Sequence, residues 1–465
     1  MCGFIVTNSE IPSDYDICSL LKHRGPDHTT QETHNNIKFM HTLLSLTGDF
    51  TPQPISDSGI IVLFNGEIYN YKDLGDYESD VYAIFHTYQK YGEQFLNYLD
   101  GEFAIVIYDS NNEKVYFAVD IFGTKPLYYS LSDNGFGLAS YKKALEEIEL
   151  NNIQKMHANS FGVIDLKTHS LEIKTNYHEF NLDQYKNNYD DWNKAFVKAV
   201  DKRFSNLNQD IILPLSSGLD SGGIACAFEI LDINHEIFSF YGNENKRILF
   251  RRIFREYFNK RKIHIKKSMK NSDLAASKTI LKDKIPNFYY GTIQEEGFLT
   301  HDGFKDRASY GLVHILNFVK KRNPKIKILA SGQGGDEITS NQQAYAWGDP
   351  NPEYFDDNLE SVFPWENFYH GTQSSYLMKE ESITGGFGIE GRYPYLDTKV
   401  VQEYLNLTPE LKNKHFKAPI YNFLVEHNYP VLKNNSVMHK KGFNIIKENL
   451  IQKFISFVHK KFIKR

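Results

Sequence analysis

Across roughly the first 180 residues, apolar positions come in short runs broken by polar punctuation, the pattern of strands and turns. "GIIVLFNGEIYNY" (59–71), "GEFAIVIYD" (101–109), "KVYFAVD" (114–120) and "PLYYSL" (126–131) are β-rich. "SNNE", "FGTK" and "SDNG" separate them. One segment has a different period. In "SDVYAIFHTYQKY" (79–91), Val81, Ile84, Phe85 and Tyr88 recur at helical spacing, and Ser79 or Asp80 is placed to cap the helix.

A polar stretch, 181–191, reads as a linker, and the pattern changes after it. "NKAFVKAVDKRF" predicts a helix, "DIILPLS" a short buried strand, and "SGGIACAFEIL" a second helix. Strand, loop and helix in succession indicate an α/β unit on a parallel sheet. "HEIFSFYG" and "IKILASG" are further strand candidates, and the segments after Tyr376 look largely helical.

A chain of 465 residues has material for two or three domains. Its 41% hydrophobic and 24% charged residues are ordinary for a globular protein. The net charge of −5 suggests no general affinity for nucleic acid or membrane surfaces. Cys2, Cys18 and Cys226 are too few for a disulfide framework and suit a reducing compartment. No signal peptide and no apolar run of spanning length is evident, so a cytoplasmic protein is expected.

Chemistry concentrates in a few places. Cys2 follows the initiator methionine directly; removal of Met1 would give it a free α-amine beside its thiol. "PLSSGLDSGG" (214–223) follows a strand and opens a helix. Small residues there admit a ligand close to the backbone, and a helix N-terminus offers N–H groups to an anion. The loop lacks the lysine of the GxxxxGK[ST] type. "LASGQGGDEI" (329–338) is a second glycine-rich turn after an apolar strand. Asp220 and Asp336 are thus candidates to hold Mg²⁺ against phosphates, since that ion favours carboxylate and phosphate oxygens. Lys440 or Lys441 is a candidate to offset charge on a leaving pyrophosphate.

These segments fall in a recognisable order: "MCGF", "HRGPD", "FNGEIYN", "SD" at 79–80, "DGEFAIVIYD", "DIFGTKPLYY", "LSSGLDS", "SGQGGDE", "GIEGRYPYLD" and "KKGF". In that order the chain resembles the glutamine-dependent asparagine synthetases, from Met1 to about Phe443. The resemblance implies an α+β glutaminase domain of N-terminal-nucleophile type, with sheets sandwiched between helices, over 1–180. It implies an α/β parallel-sheet ATP-pyrophosphatase domain over 192–465.

By the same resemblance, Cys2 attacks the side-chain amide of glutamine, activated by its own α-amine. Asn65 and Gly66 form the oxyanion hole. Glu67 and Asp80 receive the glutamine α-amino group. ATP would contact Leu215, Ser216, Ser217, Gly218, Asp220, Ser221, Phe240, Ser331, Gly332 and Lys440, with Mg²⁺ at Asp220 and Asp336. Ammonia would pass through an internal tunnel to an acyl-adenylate. Glu390 and Arg392 match a motif on the acceptor side, with a structural ion pair as the competing reading. The partners implied are glutamine, ATP and a carboxylate acceptor, and such proteins are often homodimers.

Three departures stand out. Leu43 falls where the family has an arginine for the glutamine α-carboxylate; losing such a charge-assisted bond costs ~1.5–3 kcal/mol. Arg24 or Lys38 would have to supply that charge, or glutamine is used weakly, or the donor differs. Gln333 stands in place of a glutamate and cannot act as a base. Val119 and Ile121 flank Asp120 where arginines are common. Aspartate is therefore the acceptor only by family default; a sugar acid from surface polysaccharide synthesis is an alternative. A synthetase with an inactive glutaminase and a non-catalytic scaffold are the remaining readings.

Overall fold

The computed structural model describes residues 2–12, 16–205, 207–285, 289–294, 297–302, 307–339 and 355–432. The first region contributes β1 (Gly3–Thr7), β2 (His28–His34), β3 (Ile37–Leu43), β4 (Ile55–Asp57), β5 (Ile60–Ile68), α1 (Tyr71–Leu74), α2 (Asp80–Tyr91), β6 (Gly101–Asp109), β7 (Lys114–Val119), β8 (Tyr128–Ser132), β9 (Gly135–Ala139), α3 (Lys142–Glu147), β10 (Gln154–Lys155), β11 (Ser160–Asp165) and β12 (Ser170–Thr175). They form two antiparallel six-stranded sheets, ordered β10-β8-β9-β1-β3-β2 and β12-β11-β7-β6-β5-β4.

Strand alternation builds the layers. Phe4, Val6, Phe39 and Leu138 of one sheet meet Leu63, Val106, Phe117 and Ile164 of the other in a shared core. On the far side of the second sheet, Val81, Ile84, Phe85 and Tyr88 of α2 are all buried, as the spacing predicts. On the far side of the first, Ile5, Met40 and Ala139 pack against α3 and a short 3₁₀ turn at Ile17–Leu20. The sheets therefore lie between helices, as expected.

Further along come α4 (Asp190–Phe204), β13 (Asp210–Pro214), α5 (Leu219–Ile230), β14 (Glu236–Phe240), α6 (Lys246–Phe258), β15 (Lys262–Lys266) and α7 (Asn271–Lys284). A hairpin of β16 (Tyr289–Gln294) and β17 (Gly297–Asp302) follows, then α8 (Arg307–Arg322), β18 (Ile326–Ala330) and α9 (Gly335–Ile338). The last elements are α10 (Glu366–Tyr369), α11 (Gly371–Gly385), β19 (Glu390–Arg392), α12 (Thr398–Leu405), α13 (Pro409–Asn413) and α14 (Ala418–Glu426). β15-β14-β13-β18-β19 form a five-stranded parallel sheet. One face is covered by α4, α5, α6, α12 and α14, the other by α7, α8 and α11. The strand order reverses between β13 and β18, and in open parallel sheets ligands bind at the C-terminal edge of such a point.

The polar stretch 181–191 is anchored along the end of α12. Tyr185 and Lys186 donate backbone N–H groups to Asn406 O at 3.0 and 2.9 Å. Helix α4 already begins at Asp190, inside that stretch. Buried charges tie the antiparallel sheets to the parallel one. Arg203 reaches Glu102 at 2.8 Å and Asp397 at 2.7 Å, and Lys125 reaches Glu381 at 3.1 Å.

Candidate active site

Strand register places the nucleophile. Gly3 lies opposite Thr42, which brings Cys2 level with Leu43, and the Leu44 N–H points at Cys2 Sγ at 3.5 Å. Cys2 is buried, and burial pushes its thiol up to about 11, with the N-terminal ammonium pulling the other way. A thiol in that state needs a base. Cys2, Leu43, Leu44, Thr47, Asp49, Gln53, Phe64, Gly66, Glu67 and Asp80 line one pocket.

The Asn65-Gly66 pair is not a turn, the reading its composition alone favours. It lies inside β5, with Asn65 opposite Ala104 and Gly66 opposite Phe103. Gly66 has φ +139°, and a Cβ there would stand 1.9 Å from Glu102 O, so glycine is required. Asn65 is wholly buried, and neither its amide oxygen nor its amide nitrogen has a partner among the described residues. A buried amide left unpaired costs ~1–3 kcal/mol, as expected of a group reserved for a ligand.

Glu67 accepts a hydrogen bond from Thr47 Oγ1 and lies 3.2 Å from an Arg392 nitrogen. Burial, then the charge of Glu390, pushes Glu67 up to about 8. Asp80 accepts from Ile68 N–H at 3.1 Å, yet burial pushes it up to about 7. Ser79 occupies the N-cap position of α2, but its hydroxyl meets the Asp80 carboxylate rather than a helix N–H. Two crowded, buried carboxylates favour an incoming cation such as an ammonium group.

Neither expected substitute for the Leu43 cation is in place. Arg24 Nε donates to Cys2 O at 2.8 Å, and its guanidinium also meets Tyr141 and Glu381. Lys38 Nζ donates to Ser9 O at 2.9 Å, and neither residue lines the pocket. Asp120, flanked by Val119 and Ile121, accepts from the N–H groups of Phe103, Phe122 and Thr124, each at 3.0 Å, which makes it a structural hub.

The second cluster sits at the C-terminal edge of the parallel sheet. The loops after β13 and β18 meet there: a Cβ on Gly335 would stand 2.7 Å from Asp220 Oδ1. Leu215, Ser216, Ser217, Gly218, Asp220 and Ser221 form the first loop and the opening of α5, Phe240 ends β14, and Ser331-Gly332 follow β18. Lys440 and Lys441 lie outside the described residues. The first loop is internally bonded. Gly218 N–H donates to Ser216 Oγ at 3.0 Å, Ser216 N–H to Ser221 Oγ at 3.1 Å, and Ser217 N–H to Glu244 at 2.7 Å. Buried Arg252 holds the loop from behind through Ser216 O and Gly218 O, both at 2.7 Å.

Sequence reasoning missed four residues here. Lys417, fully buried, bridges Asp220 and Asp336, the latter at 2.7 Å. Glu244 takes the Ser217 N–H and hydroxyl. Glu380, pushed up to about 7 by burial, interacts with Ser331 and Gln333, so a carboxylate stands beside the glutamine. Arg252 is the fourth. None of the four left a local signal in the sequence; the structure places Lys417 in left-handed backbone before Ala418-Pro419. Glu390 and Arg392 do form an ion pair, at 2.8 Å.

Residues 1–185 match the sequence profile of the glutamine amidotransferase domain family. A protein of Methanocaldococcus jannaschii, named provisionally as a glutamine-hydrolysing asparagine synthetase, is 26% identical, over 99% of this chain and 88% of its own. The glutamine-hydrolysing asparagine synthetases of Homo sapiens and Gallus gallus are each 27% identical, over 84% of this chain and 74% of theirs. A solved glutamine phosphoribosylpyrophosphate amidotransferase from B. subtilis aligns at a TM-score of 0.32 and 15% identity, covering 51% of this chain and 65% of that one. The first region of the chain is thus a glutamine amidotransferase domain of antiparallel layered type. Over most of its length the chain is similar to proteins named asparagine synthetases, at 26–27% identity.

Proposed function

We propose that the chain is an ATP- and glutamine-dependent amidotransferase that converts a carboxylate to an amide, with aspartate the first candidate acceptor. What carries this reading is the gathering of Cys2, Gly66 and two proton-retaining carboxylates at one pocket, with the buried Asn65 next to Gly66 in β5. Residues 1–180 would hold the glutaminase, 181–191 the link and 192–465 the adenylating site.

Cys2 Sγ attacks the side-chain carbonyl carbon of glutamine. The Asn65 amide and the Gly66 N–H receive the negative oxygen, an arrangement of donors worth 10²–10³ in rate, order of magnitude. The C–N bond breaks, the base returns its proton to the leaving nitrogen, and ammonia departs. Water then hydrolyses the thioester to glutamate. Glu67 and Asp80 hold the substrate ammonium throughout.

At the second cluster an acceptor carboxylate oxygen attacks the α-phosphorus of ATP, and pyrophosphate leaves. Ammonia attacks the resulting acyl carbon and AMP leaves. The loops 215–221 and 331–335 would cradle the phosphates, with Lys417 beside the leaving group. Asp220 and Asp336, carboxylates that already share one cation, are the residues that would hold Mg²⁺, which would offset phosphate charge. Among the described residues no group of three metal-binding side chains gathers, so phosphate oxygens would complete such a site.

Gln333 with Glu380 beside it favours a second reading, amidation of another carboxylate such as a sugar acid. The test is product analysis with glutamine, ATP and aspartate. Asparagine with stoichiometric pyrophosphate supports the first reading, and pyrophosphate release on another acid alone supports the second. Ammonia-dependent synthesis should survive Cys2→Ala while glutamine-dependent synthesis is lost; loss of both would refute the two-site scheme.

A further inference from the structure

We propose that the outer face of α6 docks on an anionic phospholipid surface. The helix, "KRILFRRIFREYF", buries Ile248, Leu249, Arg252, Ile253 and Glu256. The residues left outside are of two kinds. Lys246, Arg247 and Arg251, with Lys260 just beyond the helix, are exposed and form no ion pair with a described residue. Phe254, Tyr257 and Phe258 are 60%, 67% and 76% exposed, the largest exposures among its apolar side chains. The helix's one acid, Glu256, is buried 3.1 Å from His235, so no acid of the helix itself lies on its outer face. Arg247, Arg251, Phe254 and Phe258 follow i, i+4, i+7, i+11 spacing and share one stripe. Ile265, 50% exposed on edge strand β15, lies on the same side as Ile263, which packs beneath α6.

Three such cations on one helix and a fourth just beyond it are set against a chain whose net charge is −5. That makes the face complementary to an anionic surface, and basic clusters on amphipathic helices are attracted to acidic lipid headgroups. Water penalises three neighbouring exposed rings, whereas the headgroup boundary accepts aromatic side chains. A single-stranded nucleic acid is held by a basic groove lined with rings on which successive bases stack. Tyr257 and Phe258 instead stand at 71° to each other. A second copy of this face would bring like charges together. Residues 433–465 carry nine lysines and arginines against one acid, Glu448, so they too share its sign.

The experiment is co-sedimentation of the full chain with vesicles of phosphatidylcholine, with and without about one-third phosphatidylglycerol. The expected result is binding about tenfold or more tighter to the anionic vesicles, weakened by salt. Arg247→Glu with Arg251→Glu should abolish the preference, Arg247→Lys with Arg251→Lys should keep it, and Phe254→Ser with Phe258→Ser should weaken binding. Hydrogen exchange of the unaltered chain provides a readout independent of variant folding: the amides of 251–262 should slow on anionic vesicles. Equal binding to both vesicle types, or no binding, overturns the proposal. So does unchanged binding of the charge-reversed variant, which would assign the attraction to another surface such as residues 433–465. Preferential binding of single-stranded RNA, or a dimer lost on Phe254→Ser, would assign the face to another partner and overturn it equally.

Discussion

The guanidinium of Arg392, on the parallel sheet, lies 3.2 Å from Glu67, which lines the pocket of Cys2 on the antiparallel sheets. One arginine thus meets the ammonium-receiving candidate on one side and Glu390, at 2.8 Å, on the other. Arg392 holds Glu390 below the usual carboxylate range, while burial keeps Glu67 above it. Removing the arginine would leave two buried carboxylates without their counter-charge, a loss of about 3–5 kcal/mol. Arg392→Met should therefore lower the thermal unfolding midpoint and reduce glutamine-dependent turnover more than ammonia-dependent turnover. Equal loss from both nitrogen sources would show that the pair serves stability alone.

Protonation in the pocket gives a pH dependence with a definite sign. Glu67 and Asp80 rise from about 4.3 and 3.9 in an unfolded chain to about 8 and about 7 in the fold, chiefly through burial. Between those limits the folded state holds more protons than the unfolded one. Ligand-free stability from these two groups is full below about pH 4 and is lost as pH rises toward 8. An ammonium ligand favours the charged carboxylates and so releases protons. Glutamine binding should strengthen from about pH 6 to 8 and level off above. Calorimetry in two buffers of different ionisation heat measures the released protons, and uptake of protons would contradict the assignment.

Leu43 sets up a gain-of-function test. It lines the pocket beside Cys2, and among the described residues no lysine or arginine lines that pocket with it. Leu43→Arg would supply a cation for the glutamine α-carboxylate, worth ~1.5–3 kcal/mol where geometry permits. The KM for glutamine should fall about tenfold or more with kcat little changed, the signature of added uniform binding. An unchanged KM would mean that the donor's carboxylate does not approach this strand.

What the sequence disclosed, and what it hid, follows from separation along the chain. β5, β6 and α2 were legible because apolar periodicity is local, and the small-residue loop at 215–221 because its constraint lies within one turn. Asn65 and Gly66 sit next to each other in β5, so their motif survives as a string. Lys417 and Asp220 are 197 residues apart, and no local pattern joins them. β19 has only three residues, and β15, "KIHIK", is an edge strand alternating polar and apolar, so neither resembles the apolar core strands. The second partner of Arg392 was hidden because it belongs to the other region of the chain.

On the proposed reaction, Lys417 separates the two half-reactions. Its ammonium lies between Asp220 and Asp336 and is wholly buried. Lys417→Gln would leave the two carboxylates facing each other and remove a charge from beside the leaving pyrophosphate. Pyrophosphate release should fall about 10²–10³-fold with glutamine and with ammonia alike. Ammonia release at Cys2 should persist, and unaffected pyrophosphate release would remove Lys417 from the reaction.

On the same proposal Glu244 presents the opposite case, a group that would compete with substrate. Its carboxylate accepts from the Ser217 N–H at 2.7 Å and also from the Ser217 hydroxyl. A phosphate approaching the loop wants the same N–H and meets a negative charge already there. The hydroxyl strengthens this hold, because Ser217 stands where a glycine would offer none. Two variants separate the contributions. Glu244→Gln removes the charge and should lower the KM for ATP several-fold; Ser217→Gly removes the hydroxyl bond and should lower it less, about as one neutral hydrogen bond of ~0.5–1.5 kcal/mol allows. A raised KM in Glu244→Gln would mean that the carboxylate holds the loop open for ATP rather than occupying its place.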